Sequence, residues 1–113
     1  MPLLSLETNT PASTDNRAIL TGLSRLVAEL LGKPESYVMV RMQHNPDLIF
    51  AGNAEPAALM QLKSLGLPES RTADFSRALC DFVADAFGIA TDRIYIEFSS
   101  PQRHLWGWNG GTF

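Results

Sequence analysis

The stretches LSRLVAELLGKPESYVMV at residues 23–40 and LCDFVADAFGIATDRIYI at residues 79–96 decide the fold, because they write one pattern twice. A shift of 56 positions lays Leu23, Leu26, Val27, Leu30, Leu31 and Gly32 on Leu79, Phe82, Val83, Ala86, Phe87 and Gly88 without a gap. Apolar residues three and four apart make one helical stripe, and a glycine behind the last of them stops the helix. Val38 and Val40 then fall on Ile94 and Ile96, and upstream Leu4 and Leu6 fall on Met60 and Leu62, all alternating as strand residues do. The first helix is expected over Ser13–Leu31, capped by Ser13 or Thr14 and stopped by Gly32 and Pro34; the second starts near Ser70. The strands are LLSLE, YVMVRM, ALMQLKS and RIYIEF. Any two amphipathic βαβ units share some patterning, but register kept across helix, stop and strands reads as duplication. The repeats cover about 2–43 and 58–99, joined by HNPDLIFAGNAEP.

A βαβ unit has parallel strands and a right-handed crossover, and two such units related by a pseudo-twofold axis can join strands 1 and 3 antiparallel at the centre. The expected fold is therefore α+β: a pseudo-symmetric βαββαβ two-layer sandwich, a four-stranded mixed sheet with both helices on one face. The helix-side face takes Leu4, Leu6, Val38, Val40, Met60, Leu62, Ile94, Ile96 and Phe98. The opposite face mixes Leu3, Met39, Leu59 and Tyr95 with Ser5, Glu7, Arg41, Gln61, Lys63, Arg93 and Glu97. That is too apolar to leave open and too polar for a core, so burial by oligomerisation is expected.

With 113 residues the chain makes a single domain spanning 1–113, large enough for a real core. A net charge of −3 and nine scattered Lys and Arg give no basic stripe for nucleic acid. The lone Cys80 falls in a helical stripe and reads as a small buried side chain in a reducing compartment. No basic, apolar leader and no membrane span stand in the sequence, so no membrane partner is expected; the location is cytoplasmic, or outside the cell by a leaderless route. His44 and His104 lack metal-ligand companions and read as loop or surface residues, and no metal, nucleotide or other cofactor is indicated. Asn109-Gly110-Gly111 reads as a turn, with Trp106 and Trp108 beside it packing the tail against a neighbouring molecule.

In this topology Pro2 opens strand 1, Lys33 precedes strand 2, and Ser64 and Leu65 end strand 3, so all four gather at one end of the sheet. The second half lacks the pair: Pro2 corresponds to Ala58 and Lys33 to Ile89. Taken singly, Pro2 is a proline tolerated at a strand's mouth and Lys33 a cation near a helix C-terminus. Tyr95 lies at the opposite end, so Tyr95 or Glu97 joins this site only from another subunit.

MP at the start, GKPESYVMV at 32–40, AGNAEPAAL at 51–59, KSLG at 63–66, DRIYIEF at 92–98 and GWNGGTF at the end resemble the macrophage migration inhibitory factor family and its tautomerase relatives, over essentially the whole chain. The resemblance implies a homotrimer and a cofactor-independent keto-enol tautomerase acting on an aromatic keto acid such as phenylpyruvate. Pro2, exposed by removal of Met1, would be the base, with Lys33, Ser64 and Leu65 beside it and Tyr95 and Glu97 arriving from the next subunit. Lys33 would hold the substrate carboxylate and depress the proline nitrogen's affinity for a proton. Leu65, Tyr37, Tyr95, Trp108 and Phe113 would shape the ring slot, although each aromatic taken alone reads as packing.

Two positions depart from the family pattern. Ala57 and Met60 stand where the vertebrate factor has a CxxC, so thiol-disulfide chemistry is not expected. Glu97 replaces an asparagine at the phenol end of the pocket, and a carboxylate accepts but does not donate unless protonated; alone it reads as a solvated interface residue. Two other functions fit the same scaffold: a cytokine-like ligand of a protein receptor, and a hydratase or dehalogenase with Glu97 activating water. The last wants arginines around the substrate carboxylate, and the sequence places none clearly beside Pro2.

Overall fold

The computed structural model describes residues 1–113 and follows the duplication closely. In chain order it runs β1 (Leu3–Thr8), α1 (Asn16–Leu31), β2 (Met39–His44), β3 (Ala58–Lys63), α2 (Thr72–Phe87) and β4 (Ile94–Ser99), then a small hairpin of β5 (Gly107–Trp108) and β6 (Gly111–Thr112). The sheet order is β2-β1-β3-β4, with β1 antiparallel to β3 and each outer strand parallel to its inner neighbour. Both helices obey the 56-residue shift at both ends, and so does strand register: Leu3 faces Met39 as Leu59 faces Tyr95.

Helix termination repeats too. Gly32 and Gly88 adopt φ of 62° and 68°, and the N–H groups of Lys33 and Ile89 close back on Ala28 and Ala84 carbonyls at 3.0 and 3.2 Å. These closures satisfy carbonyls the helix ends leave orphaned and aim the chain back along the sheet. The helix starts differ from expectation. α1 begins at Asn16, without a side-chain cap from Ser13 or Thr14, because the Ser13 hydroxyl accepts the N–H of Asp15 in a local turn instead. A 3-10 turn over Glu69–Arg71 occupies the start expected for α2.

Leu4, Leu6, Met60 and Leu62 from the two central strands are all at most 2% exposed, beneath Leu23, Val27, Phe75, Leu79 and Val83 from the helices. Burying each such side chain stabilises by about 1.5–3 kcal/mol. The helices approach closely where a Cβ on Gly22 would meet the Phe82 ring at 2.6 Å. The far face carries no layer, and Met39 and Tyr95 are 65% and 64% exposed on it.

Three expectations change. Arg93 sits in a 3-10 turn rather than on the open face, donating to the carbonyls of Phe50, Glu55 and Pro56 at 2.9–3.1 Å, which pins the connector between the repeats. His44 ends β2 and is half-buried, linking Asn16 Nδ2 at 2.9 Å to the Thr10 carbonyl at 2.7 Å, so it ties the start of α1 to the sheet. Cys80 is half-buried rather than buried, its thiol pushed up in pKa by desolvation and then by Asp81.

A Cβ added at Gly32 or Gly88 meets nothing within 4 Å, so Gly32→Ala and Gly88→Ala test backbone strain alone. Each substitution is expected to lower unfolding free energy by about 1 kcal/mol, similar in the two halves, as read by urea denaturation.

Candidate active site

The antiparallel pairing of β1 with β3 sets Leu3 opposite Lys63, and the parallel pairing with β2 sets it opposite Met39. Pro2 therefore lies where β3 exits and β2 enters. It is fully buried, and its carbonyl accepts the Met39 N–H at 3.0 Å, extending the ladder that its own nitrogen could not join. The terminal amine belongs to Met1, which lies half-buried in the wall of a cleft of about 300 Å³ lined also by Lys33, Tyr37, Leu65, Arg103, Trp108 and Phe113.

Each lining side chain has a local cause. The helix closure at Gly32 delivers Lys33, whose ammonium donates to the Leu65 carbonyl at 3.4 Å. Leu65 follows the end of β3 and is 5% exposed, while Gly66 turns the chain away at φ 62°. Ser64 sits behind it, fully buried, its hydroxyl donating to the same Leu65 carbonyl at 3.2 Å and its N–H to Ser99 at 3.1 Å. Ser64 thus supports this loop from beneath and does not line the cleft. Asn109 and Gly110, at φ 52° and 80°, make the two-residue turn that right-twisted strands favour and fold the tail back. Trp108 then stacks on Phe113 at 6.1 Å and meets Tyr37 edge-on at 5.9 Å within its own chain, while staying 52% exposed.

Lys33 and Arg103 are the cleft's only charged side chains, and neither forms an ion pair. Burial, then Lys33 and Arg103, hold the terminal ammonium below its ordinary pKa, so the neutral amine is favoured nearer neutrality. Arg103 escaped the sequence reading. The available signal was topological: β4 ends at Ser99 opposite Lys63, so the loop that follows starts at the Pro2 end.

Tyr95 and Glu97 are not part of this cleft. Tyr95 meets Phe50 edge-on at 4.9 Å in an apolar hollow with Leu48, Ile49 and Leu59, at the other end of the sheet. Glu97 lies on the open face, accepting from Gln61 at 3.1 Å. A wider groove of about 600 Å³ runs between α1 and β2, but its lining from Asn16 to Val40 includes no nucleophile or general base poised on a partner. No three His, Cys, Asp or Glu side chains converge to hold a metal, and no helix is long and apolar enough to cross a membrane.

The family model for macrophage migration inhibitory factor matches residues 1–113. A homolog of that factor from Trichinella spiralis is 39% identical over 114 residues, covering 100% of both chains, and the factor from Meriones unguiculatus is 34% identical over 100% of this chain and 99% of its own. Among solved structures, the homologue from Prochlorococcus marinus superposes with a TM-score of 0.94 at 44% identity, covering 98% of each chain. The Trichinella spiralis structure gives 0.90 at 37% identity, covering 98% of this chain and 99% of its own.

Because a nearby cation penalises the ammonium, Lys33→Met and Arg103→Gln are each expected to raise the titration midpoint of the Met1 amine. An NMR titration of the chain bearing Met1 checks this, and midpoints unmoved by both substitutions contradict it.

Proposed function

The chain belongs to the macrophage migration inhibitory factor family, within the tautomerase superfamily, and from that premise we propose that it is a cofactor-independent keto-enol tautomerase of phenylpyruvate-like acids. The observation carrying this reading is the meeting, at the mouth of β1, of a terminal amine of lowered pKa, unpaired cations and an aromatic wall. In the chain bearing Met1 the Pro2 nitrogen is an amide and not basic. Removal of Met1 leaves a secondary amine in the same surroundings, where burial and the two cations disfavour its protonated form.

Lys33 holds the substrate carboxylate, and Tyr37, Trp108 and Phe113 take the ring. In the keto-to-enol direction the Pro2 nitrogen accepts a proton from C3, the electron pair moves to the C2 carbonyl, and its oxygen takes up a proton from solvent. The Leu65 N–H and the Lys33 ammonium stabilise charge developing on that oxygen. The Pro2 ammonium then releases its proton, and the cycle balances without an added reagent.

We place the working form as a homotrimer. Its support is the uncovered sheet face with exposed Met39 and Tyr95, together with the distance of Tyr95 and Glu97 from their own chain's cleft. In the trimer these two residues reach the cleft of the next subunit and close its far end. A role as a ligand for a protein receptor is compatible with this scaffold and family. Arg103 gives the hydratase or dehalogenase reading the arginine it lacked, and water addition or halide release would distinguish it.

Pro2→Gly is expected to lower phenylpyruvate turnover at least about tenfold with the trimer intact by analytical ultracentrifugation. Full turnover in the variant, or in a monomer, overturns the assignment. Glu97→Asn is expected to tighten, about tenfold or more, inhibitors whose ring substituent accepts a hydrogen bond. Equal dissociation constants would return Glu97 to the solvated interface.

A further inference from the structure

Two cations in one small cleft exceed what a single carboxylate needs. Lys33 lies at the inner wall, donating to the Leu65 carbonyl at 3.4 Å. Arg103 stands on the 3-10 turn Arg103–Leu105, at the root of the hairpin that carries Trp108. Both line the cleft, no acidic side chain does, and the guanidinium makes no ion pair or hydrogen bond with any group of this chain. The turn is fixed at its base, since the Trp106 N–H bonds the Arg103 carbonyl at 3.2 Å and the Trp106 carbonyl accepts the Phe113 N–H at 3.1 Å. The guanidinium this turn carries has its planar fork free for a carboxylate.

We propose that Arg103 forms a second anion subsite of the cleft, so that its preferred ligands are aromatic acids bearing two anionic groups, one on Lys33 and one on Arg103. This rests on the functional reading above for the carboxylate at Lys33 and on the geometry of the cleft for the second. A monoanion compensates one of the two cations and leaves the other unpaired beside Tyr37, Trp108 and Phe113. A dianion compensates both. Arg103 also helps depress the terminal amine's pKa, and a second carboxylate on it would weaken that effect, so binding and base strength are linked at this residue. Glu97, which the proposed trimer would bring from the neighbouring copy, accepts a hydrogen bond from Gln61 of its own chain at 3.1 Å.

The test uses unreactive acids, so it does not depend on turnover. Phenylacetate and its 3- and 4-carboxy derivatives are titrated by calorimetry into the native assembly at low and high salt. At low salt the better dicarboxylate is expected to bind about five- to tenfold more tightly than phenylacetate, the scale for one partly exposed charge pair. The advantage should shrink as salt screens it. Arg103→Gln should reduce the preference to within about twofold. Arg103→Lys should keep part of it, and Arg77→Gln, which removes a charge from the exposed side of α2, should keep all of it. Equal binding by the native protein, or a preference that survives Arg103→Gln, overturns the proposal. So does an equal loss for mono- and dicarboxylates, which would put Arg103 on the same carboxylate as Lys33. Absent phenylpyruvate turnover with the preference intact would instead sink the tautomerase reading alone.

Discussion

The antiparallel pairing of β1 with β3 is the constraint on which the rest of the molecule depends. It joins two βαβ units through their first strands, and its register, Leu3 opposite Lys63, together with the parallel β2 that sets Met39 opposite Leu3, brings three chain segments to one end of the sheet. The N-terminus, the exit of α1 and the loop beyond β3 become neighbours there. A slip of one residue would turn Leu4 and Leu6 out of the core, so the same burial that stabilises the fold fixes the position of Pro2.

Pseudo-symmetry supplies an internal comparison for the site. At the equivalent of Lys33 the second half carries Ile89, 3% exposed, and at the equivalent of Pro2 it carries Ala58, inside β3 and 5% exposed. One end of the duplicated scaffold holds only an apolar hollow, and the other opens around cations and a chain terminus. Two of its lining rings, Trp108 and Phe113, come from the tail beyond both repeats, so the asymmetry lies at the edge of a symmetric core. Desolvation by those walls and charge from Lys33 and Arg103 act in one direction, against a proton on the terminal nitrogen.

Most of the fold was legible in the sequence because it is carried by periodicity. Helix stripes, their glycine stops and strand parity are local features, and the 56-residue register tied them together. The convergence of Pro2, Lys33 and Leu65 followed from topology alone. What escaped depended on contacts between distant segments. Ser64 was grouped with the cleft residues by its place at the end of β3, but strand parity and the bond to Leu65 turn it inward. Arg103 lies outside both repeats, on a turn whose direction is set by the hairpin's closure on Trp106, and no spacing rule points there. Arg93 continued the strand alternation on paper, whereas four backbone carbonyls of the connector pull its side chain off the sheet. Tyr95 and Glu97 lie away from the Pro2 cleft within one chain, so the part proposed for them there rests on the proposed trimer.

We propose that a proline nitrogen, freed of Met1 and with its protonated form disfavoured by burial and two cations, does the chemistry. Intact mass and phenylpyruvate turnover, measured on the same preparations with Met1 retained and with Met1 removed, test it most directly. Turnover is expected in the trimmed protein and essentially none where Met1 caps Pro2 as an amide. Equal turnover in the two forms would contradict it.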